Sequence, residues 1–175
     1  MTVRIGITGA AGRMGRMLAE VIAGSDAPAA LAAAIERPES TLLGADMGEL
    51  LGGDASGVVI SSDLAAVAQQ IDVLIDFTVP EATLAQAAIC SAHGLPMVVG
   101  TTGFSDEQAR ALVTATAGVP LCQASNFAPG VNLTKEQRSL LEEFRGALEE
   151  GGKEQSPRQR SWFEGGKSFV DGMTG

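Results

Sequence analysis

A short stretch near the N-terminus decides the fold of this chain, Ile5-Gly6-Ile7-Thr8-Gly9-Ala10-Ala11-Gly12-Arg13-Met14-Gly15-Arg16. Its first residues continue an apolar run that predicts a strand, and residues 13–23 predict a helix with one apolar face. Between them, three glycines follow the pattern G-x-x-G-x-x-G, a variant of the dinucleotide-binding turn. They permit a tight bend, close approach of a pyrophosphate and close packing of helix on strand. The N–H groups that begin the helix then face the phosphates.

Composition favours an α/β protein over other classes. The chain has 175 residues, of which 45% are hydrophobic and only 4% aromatic, so a core of small aliphatic side chains is expected. Such a core is typical of a parallel sheet covered by helices. The formal net charge of −9 argues against binding to nucleic acid or to an anionic membrane surface.

Cellular location follows from cysteine usage and the first residues. No signal peptide is recognisable at Met1-Thr2-Val3-Arg4, and no apolar run approaches the roughly 18 residues that a membrane helix needs. The only cysteines, Cys90 and Cys122, are interpreted as buried thiols. We therefore expect a cytoplasmic protein.

Predicted strands and helices alternate up to about residue 127. Strands are predicted at 3–7, 29–35, 58–60, 72–77, 96–99 and 119–123, and helices at 13–23, 63–70, 81–92 and after Ser105. Asp63 is a predicted N-cap, and Ser105 with Gln108 a capping box. Residues 40–57, rich in glycine and acid, predict a mobile connection with one helical turn. The alternation predicts a Rossmann-like, doubly wound parallel sheet.

Candidate binding residues follow the second strand. Glu36 lies about 20 residues beyond the last glycine of the turn, where an acid commonly binds the adenosine ribose hydroxyls. Its neighbour Arg37 suits a 2′-phosphate instead, so the choice between NADH and NADPH stays open. A solvated surface pair is the alternative interpretation of these two residues.

Later strand ends carry further candidates, because ligands bind at the carboxyl ends of parallel strands. Phe77 and Thr78 are expected to line a cofactor cleft or to form a strand-to-helix junction. The segment Gly100-Thr101-Thr102-Gly103 offers backbone donors and hydroxyls that suit a nicotinamide ribose or carboxamide. The single histidine, His93, is interpreted as a helix-end residue. The sequence predicts neither a catalytic residue nor a metal site.

Taken together, these blocks resemble the dihydrodipicolinate reductase family of bacterial lysine and diaminopimelate biosynthesis. The resemblance rests on five blocks in the family's order across residues 3–133: residues 9–15, 36–37, 76–78, 100–103, and 124–127 with 130–132. It implies a dinucleotide-binding domain at 1–133 and hydride transfer from NADH or NADPH to an unsaturated cyclic dicarboxylate. In the family, a domain for substrate binding and tetramerisation follows.

The resemblance also implies which residues hold the cofactor. The glycine turn with Arg13 would bind the pyrophosphate, Glu36 and Arg37 the adenosine ribose or its phosphate, and the later segments the nicotinamide end. The implied contacts are Gly9, Ala10, Ala11, Gly12, Arg13, Met14, Glu36, Arg37, Gly100, Thr101, Thr102, Ala124, Ser125, Asn126 and Phe127.

Beyond Leu133 the resemblance ends. The family's paired histidines, its lysine and its Pro-Ser-Gly-Thr motif do not occur here. Residues 134–150 predict an appended amphipathic helix, and residues 151–175 have the composition of a disordered tail. We therefore expect NAD(P)H binding with little or no turnover. The resemblance implies a homotetramer for the family, but the motifs of the domain that builds it do not occur here, so the oligomeric state stays open. The alternatives are an NAD(P)-binding module or truncated gene product without catalytic activity and, with a poorer fit, a relative of homoserine dehydrogenase.

Overall fold

Six parallel strands form one sheet in the part of the chain that the computed structural model describes, residues 2–125 and 127. They are β1 Val3–Thr8, β2 Ala29–Ile35, β3 Ile60–Ser61, β4 Val73–Asp76, β5 Met97–Val99 and β6 Leu121–Gln123. The strand order β3-β2-β1-β4-β5-β6 is that of a doubly wound sheet. The predicted Rossmann-like fold is confirmed. Asn126, the predicted helix 134–150 and the predicted tail 151–175 lie outside the described residues.

Five α-helices connect the strands: α1 Arg13–Ala23, α2 Met47–Leu50, α3 Leu64–Val67, α4 Pro80–His93 and α5 Asp106–Ala115. A single 3₁₀ turn, Ala68–Gln70, continues α3. Within the described residues, no helix is long and apolar enough to cross a membrane.

The register brings the carboxyl ends of the strands level. Thr8 at the end of β1 pairs with Ile35 of β2 and with Asp76 of β4. Asp76 pairs in turn with Val99 of β5, which pairs with Gln123 of β6. The segments that follow these strands therefore emerge at one edge of the sheet, where the sequence places its candidate residues.

Small aliphatic side chains fill the core on both faces of the sheet. Ala34 belongs to one buried cluster with Ile7 and Ile60, and the next residue, Ile35, to another with Leu74. Successive strand residues point to opposite faces, so the two clusters lie on the two sides of the sheet. This fits a sequence rich in aliphatic residues and poor in aromatic ones.

Three of the helices begin at side-chain caps. The Asp63 carboxylate accepts a hydrogen bond from the Ala66 amide, and Ser105 with Gln108 forms the predicted capping box. Asp46 caps α2, a role that the sequence did not indicate. In contrast, the N-cap residues of α1 and α4 are Gly12 and Val79, and neither provides a side-chain hydrogen bond to the helix.

The loop before β3 is organised around Asp46. One carboxylate oxygen of Asp46 accepts from the backbone amides of Gly48 at 2.7 Å and Ser56 at 2.8 Å. The other accepts from the Gly57 amide at 2.8 Å. These donors, those of Ser56 above all, lower the pKa of Asp46 to about 2. Residues 40–57 were expected to be a mobile connection, and the structure gives this part of them an internal hydrogen-bond network.

One prediction about burial is wrong. Cys90 is buried as expected, but Cys122 is exposed. Its strand, β6, is the last in the sheet order and pairs on one side with β5. The residue type favours burial, but the position of the strand at the sheet edge decides the outcome.

Candidate functional site

A cleft of about 760 Å³ lies where β1, β2 and β4 end. The glycine turn, residues 9–12, contributes Gly9, Ala11 and Gly12 to its lining, and residues 35–42 line it from β2 onwards. Ser62, Leu64, residues 77–79 and helix α4 supply the rest of the lining. The crevice therefore lies where the sheet order changes direction, the usual ligand position in this class of fold.

The glycine turn needs glycine at two of its positions. Gly9 has a φ of +66°, in the left-handed region that side chains disfavour. A Cβ at Gly15 would overlap the Gly9 carbonyl oxygen and the Ala10 backbone. The bend is closed by a hydrogen bond of 2.9 Å from the Gly12 amide to the Gly9 oxygen. The turn and the start of α1 thus fit tightly together, as the glycine spacing predicts.

The start of α1 is open to an anion. Its N-cap is Gly12, which has no side chain to accept from the first N–H groups, and no acidic residue lies in its first turn. The first N–H groups of a helix have no partner within the helix, and the helix dipole adds partial positive charge there. Arg13 and Met14 are the first two residues of α1 and are exposed. This end of the helix can receive a phosphate group.

Glu36 lies against the glycine turn. One of its carboxylate oxygens accepts from the Ala11 amide at 2.9 Å, and the other accepts from the Arg37 amide at 3.3 Å. On the other side of Ala11, the carbonyl oxygen accepts from Arg16 Nε at 2.9 Å. The predicted neighbours Glu36 and the turn are therefore in direct contact, and Arg37 lines the same cleft.

Beneath the cleft, a buried carboxylate joins β1 to the segment after β4. Asp76 is fully buried, and one of its oxygens accepts from the hydroxyls of Thr8 at 2.9 Å and Thr78 at 2.6 Å. Its other oxygen has no hydrogen-bond partner among the described residues. Two hydroxyl donors on one oxygen fix the Thr78 side chain at the mouth of the cleft.

A chain of threonines extends this network to the end of β5. The buried Thr101 hydroxyl oxygen accepts from the Thr78 amide at 2.9 Å and from the Thr83 hydroxyl at 3.0 Å. Gly100, just before it, packs against the Phe77 ring so closely that a Cβ there would overlap the ring. The Gly-Thr-Thr-Gly segment is thus held against the segment that follows β4.

The structure brings only part of the predicted set together. Of the predicted contacts, the cleft is lined by Gly9, Ala11, Gly12, Glu36 and Arg37. Ala10 is fully buried behind the turn. The remaining described candidates lie outside that lining, at the start of α1 or beyond β5 and β6: Arg13, Met14, Gly100, Thr101, Thr102, Ala124, Ser125 and Phe127.

Sequence reasoning missed three residues around the site. Arg16 stands in the quoted stretch, but its contact with the turn was not foreseen. Thr83 and Gln86 lie on α4, on the side that faces the network and the cleft. Their spacing of three places them on one helix face, and this is the signal that the sequence offered.

The cleft fits a nucleotide cofactor by its donor set. It combines an uncapped helix start, a carboxylate suited to hydroxyl groups, and an apolar wall that includes Leu64 and Ile89. The side-chain oxygen of Gln86, on the same wall, is buried and has no hydrogen-bond partner in the part of the chain that the structure describes. Among the described residues, no group of His, Cys, Asp or Glu could hold a metal ion.

Comparison with known proteins agrees with this geometry. The family pattern described as "Dihydrodipicolinate reductase, N-terminus" matches residues 3–127. The chain is 55% identical over 133 residues to the 4-hydroxy-tetrahydrodipicolinate reductase of Saccharophagus degradans, covering 76% of this chain and 49% of the relative. It is 49% identical over 140 residues to that of Alkalilimnicola ehrlichii, covering 80% of this chain and 52% of the relative.

Solved structures support the same conclusion. A dipicolinate-bound dihydrodipicolinate reductase from Paenisporosarcina sp. TG-14 matches with a TM-score of 0.59 at 25% identity, covering 83% of this chain and 52% of that one. An Agrobacterium radiobacter oxidoreductase, solved with NAD⁺, matches with a TM-score of 0.57 at 19% identity, covering 87% of this chain and 41% of that one. The latter shows the fold alone.

The chain spans about half the length of the curated relatives it matches. The matched half contains the sheet, the glycine turn and the cleft. By the extent of the family match, the chain belongs to the dihydrodipicolinate reductase family and carries its N-terminal domain.

Proposed function

We propose that this chain binds NADH or NADPH in the cleft at the carboxyl edge of the sheet. One observation carries the proposal: Gly12, the N-cap that leaves the start of α1 without a side-chain acceptor, and Glu36 line a single crevice beside the glycine turn. An extended dinucleotide needs both features, because one receives its phosphates and the other its ribose hydroxyls. Family membership supports the same cofactor.

Each part of the cleft has a separate task in this proposal. The first N–H groups of α1, with Arg13, would hold the pyrophosphate, and Glu36 the adenosine ribose. Arg37 would accommodate a 2′-phosphate, so that both cofactors are accepted. The Gly100–Thr102 segment and residues 124–127 would lie toward the nicotinamide, which supplies a hydride when bound. The threonine chain would keep Thr101 in place during that step.

By family, the reaction would be reduction of 4-hydroxy-tetrahydrodipicolinate or its dehydrated, unsaturated form. We propose that the 175-residue chain alone turns over little or none of it, because the family's histidine pair and carboxylate-binding motifs do not occur in its sequence. General acid catalysis typically contributes about 10²- to 10⁴-fold to a rate. The second candidate, a cofactor-binding module that does no chemistry, has the same structural support.

Two measurements test the proposal. Titration of the purified chain with NADH, followed by the change in nicotinamide fluorescence, is expected to show saturable binding at one site. A single-turnover mixture with the unsaturated cyclic dicarboxylate is expected to leave the NADH absorbance nearly constant. Absence of saturable binding would overturn the cofactor assignment, whereas rapid oxidation of NADH would show that the chain is a working reductase.

A further inference from the structure

Glu36 contacts the glycine turn itself, in addition to facing the place proposed for the ribose. Its carboxylate accepts from the Ala11 amide at 2.9 Å, and this contact spans 25 residues of sequence. The backbone of Glu36 is held independently, since its amide donates to the Ser61 carbonyl of β3 at 2.9 Å. The carboxylate therefore ties the turn to a fixed point in the sheet.

Neighbouring contacts hold the same part of the turn. The Ala10 amide donates to the Ile35 carbonyl at 3.2 Å, next to the Ala11 contact. Arg16 from α1 donates to the Ala11 carbonyl at 2.9 Å. Ala11 is thus bonded through its N–H to the end of β2 and through its carbonyl to α1. Both hydrogen bonds involve a charged side chain, which makes them stronger than neutral ones.

We propose that Glu36 is a positioning residue for the phosphate site: it holds the glycine turn in its binding shape before a nucleotide arrives. This inference rests on the proposed function and adds a second role to the contact proposed between Glu36 and the ribose. A turn that is already shaped loses less entropy on binding, so it binds the phosphates more tightly. Glu36 would then act on a ligand that has no ribose at all.

The two roles predict opposite signs for a ligand without ribose. In a purely electrostatic or ribose-binding role, Glu36→Ala removes a negative charge near the phosphates, so inorganic pyrophosphate should bind equally well or more tightly. In the positioning role, the same variant removes the hydrogen bond that holds the Ala11 amide, and pyrophosphate should bind less tightly. We expect a loss of about tenfold, the worth of one hydrogen bond to a charged group.

The experiment compares four forms of the full chain: the wild type, Glu36→Ala, Glu36→Gln and Glu39→Ala. Glu36→Gln keeps a side-chain oxygen that can accept from the Ala11 amide and is expected to retain pyrophosphate binding within about twofold of the wild type. Glu39 lines the same cleft, and Glu39→Ala controls for the loss of a negative charge. Pyrophosphate binding is followed by phosphorus NMR, and NADH binding by fluorescence.

Amide exchange gives a readout that does not depend on a ligand. In Glu36→Ala, hydrogen exchange at the Ala11 amide is expected to rise at least about tenfold, and in Glu36→Gln to stay near the wild-type rate. Exchange at the Leu74 amide in the core shows that each variant is folded. If Glu36→Ala itself unfolds, Glu36→Asp takes its place, because the shorter side chain keeps the charge but is expected not to reach the Ala11 amide. Faster exchange at Ala11 in folded Glu36→Asp would support the proposal, and exchange at the wild-type rate would overturn it.

The remaining outcomes would contradict the positioning role of Glu36. Unchanged exchange at Ala11 in folded Glu36→Ala, or pyrophosphate binding as tight as in Glu39→Ala, would overturn the positioning role and leave the proposed function intact. NADH binding by the wild type without measurable pyrophosphate binding would also count against it. A wild-type chain that binds neither compound would overturn the proposed function and this inference together.

Discussion

Helices α1 and α2 both follow glycine-containing turns, but only α2 has a side-chain cap at its start. At α2, the Asp46 carboxylate accepts hydrogen bonds from amides of the first turn and from the amides of Ser56 and Gly57 in the loop that follows the helix. At α1, the N-cap is Gly12 and no side chain provides a cap. The turn before α1 is held from outside instead, by Glu36 and Arg16.

The presence or absence of a side-chain cap distinguishes a helix start that contributes to stability from one that can bind a ligand. A helix start that satisfies its own donors serves stability alone, whereas one left open has donors to offer a ligand. Among the described helices of eight residues or more, α5 has a capping box, and α1 and α4 both begin uncapped at the cleft. Glycine content did not distinguish these starts, but the residue at the N-cap did.

The largest expected effect is on NADH affinity and comes from giving α1 a carboxylate N-cap like that of α2. Gly12→Asp supplies a carboxylate cap at a φ of −71°, which any residue can adopt, although its Cβ would lie 3.1 Å from the Gly9 carbonyl oxygen and the turn must shift slightly to admit it. A fixed negative charge at the open helix start should weaken NADH binding by about a hundredfold while changing stability by less than about 1 kcal/mol. The measurement is NADH titration together with chemical denaturation.

Ser105→Asp is the matched control, because it introduces the same carboxylate at a helix start away from the cleft. NADH affinity is expected to stay at the wild-type value. Equal affinity in Gly12→Asp and the wild type would mean that the open start of α1 does not receive the phosphates.

A second substitution tests the buried hydrogen-bond network beneath the cleft, which lies next to the uncapped start of α4. Asp76→Ala leaves the Thr8 and Thr78 hydroxyls without their shared acceptor. Unfolding free energy should fall by about 2 kcal/mol, and Asp76→Asn, which keeps an acceptor oxygen, should lose less. Denaturation curves check the order of the two variants. Equal losses would show that packing rather than hydrogen bonding accounts for the effect.

Removing a cap far from the cleft should affect stability only. Ser105→Ala takes away the acceptor for the Gln108 amide at the start of α5. The expected cost is about 1 kcal/mol in unfolding free energy, with unchanged NADH affinity. A drop in affinity would contradict the separation of capped and open helix starts.

The smallest effect concerns the Asp46 loop and its pH dependence. The folded-state pKa of about 2 lies below the ordinary 3.8, so ionised Asp46 stabilises the fold above about pH 4. That contribution should be lost as the pH falls from about 4 toward 2. The difference in melting temperature between the wild type and Asp46→Asn is expected to shrink over this range.

Asp72 is the appropriate control for acid unfolding. Its pKa is also lowered to about 2, chiefly by the hydrogen bond from Arg4. Asp72→Asn should keep the Asp46 effect in full. A constant difference between wild type and Asp46→Asn from pH 5 to 2 would contradict the role given to the loop.

The sequence predicted what local pattern controls. Helix α1 and strand β2 have the predicted bounds, and Asp63 and Ser105 cap the helices that they were expected to cap. In these cases a periodicity of apolar residues, or one polar residue before it, is sufficient. The glycine turn was likewise found from spacing alone.

Long-range contacts could not be predicted in this way. The hydrogen bond between Thr8 and Asp76 joins residues 68 positions apart, and that between Thr83 and Thr101 joins α4 to the segment after β5. Both depend on how the strands are registered, which local spacing does not encode. Cys122 was misjudged for the same reason, because exposure at an edge strand follows from strand order.

The two cysteines differ in solvent exposure, so their reactivity shows whether the chain is folded. Burial raises the pKa of the Cys90 thiol to about 12, with a smaller contribution from the nearby Asp76. The thiolate is the nucleophile that attacks alkylating reagents, so burial in the native core protects Cys90, while Cys122 on the edge strand is accessible. Alkylation of one thiol per chain then marks a folded molecule, and alkylation of two marks one whose core has opened.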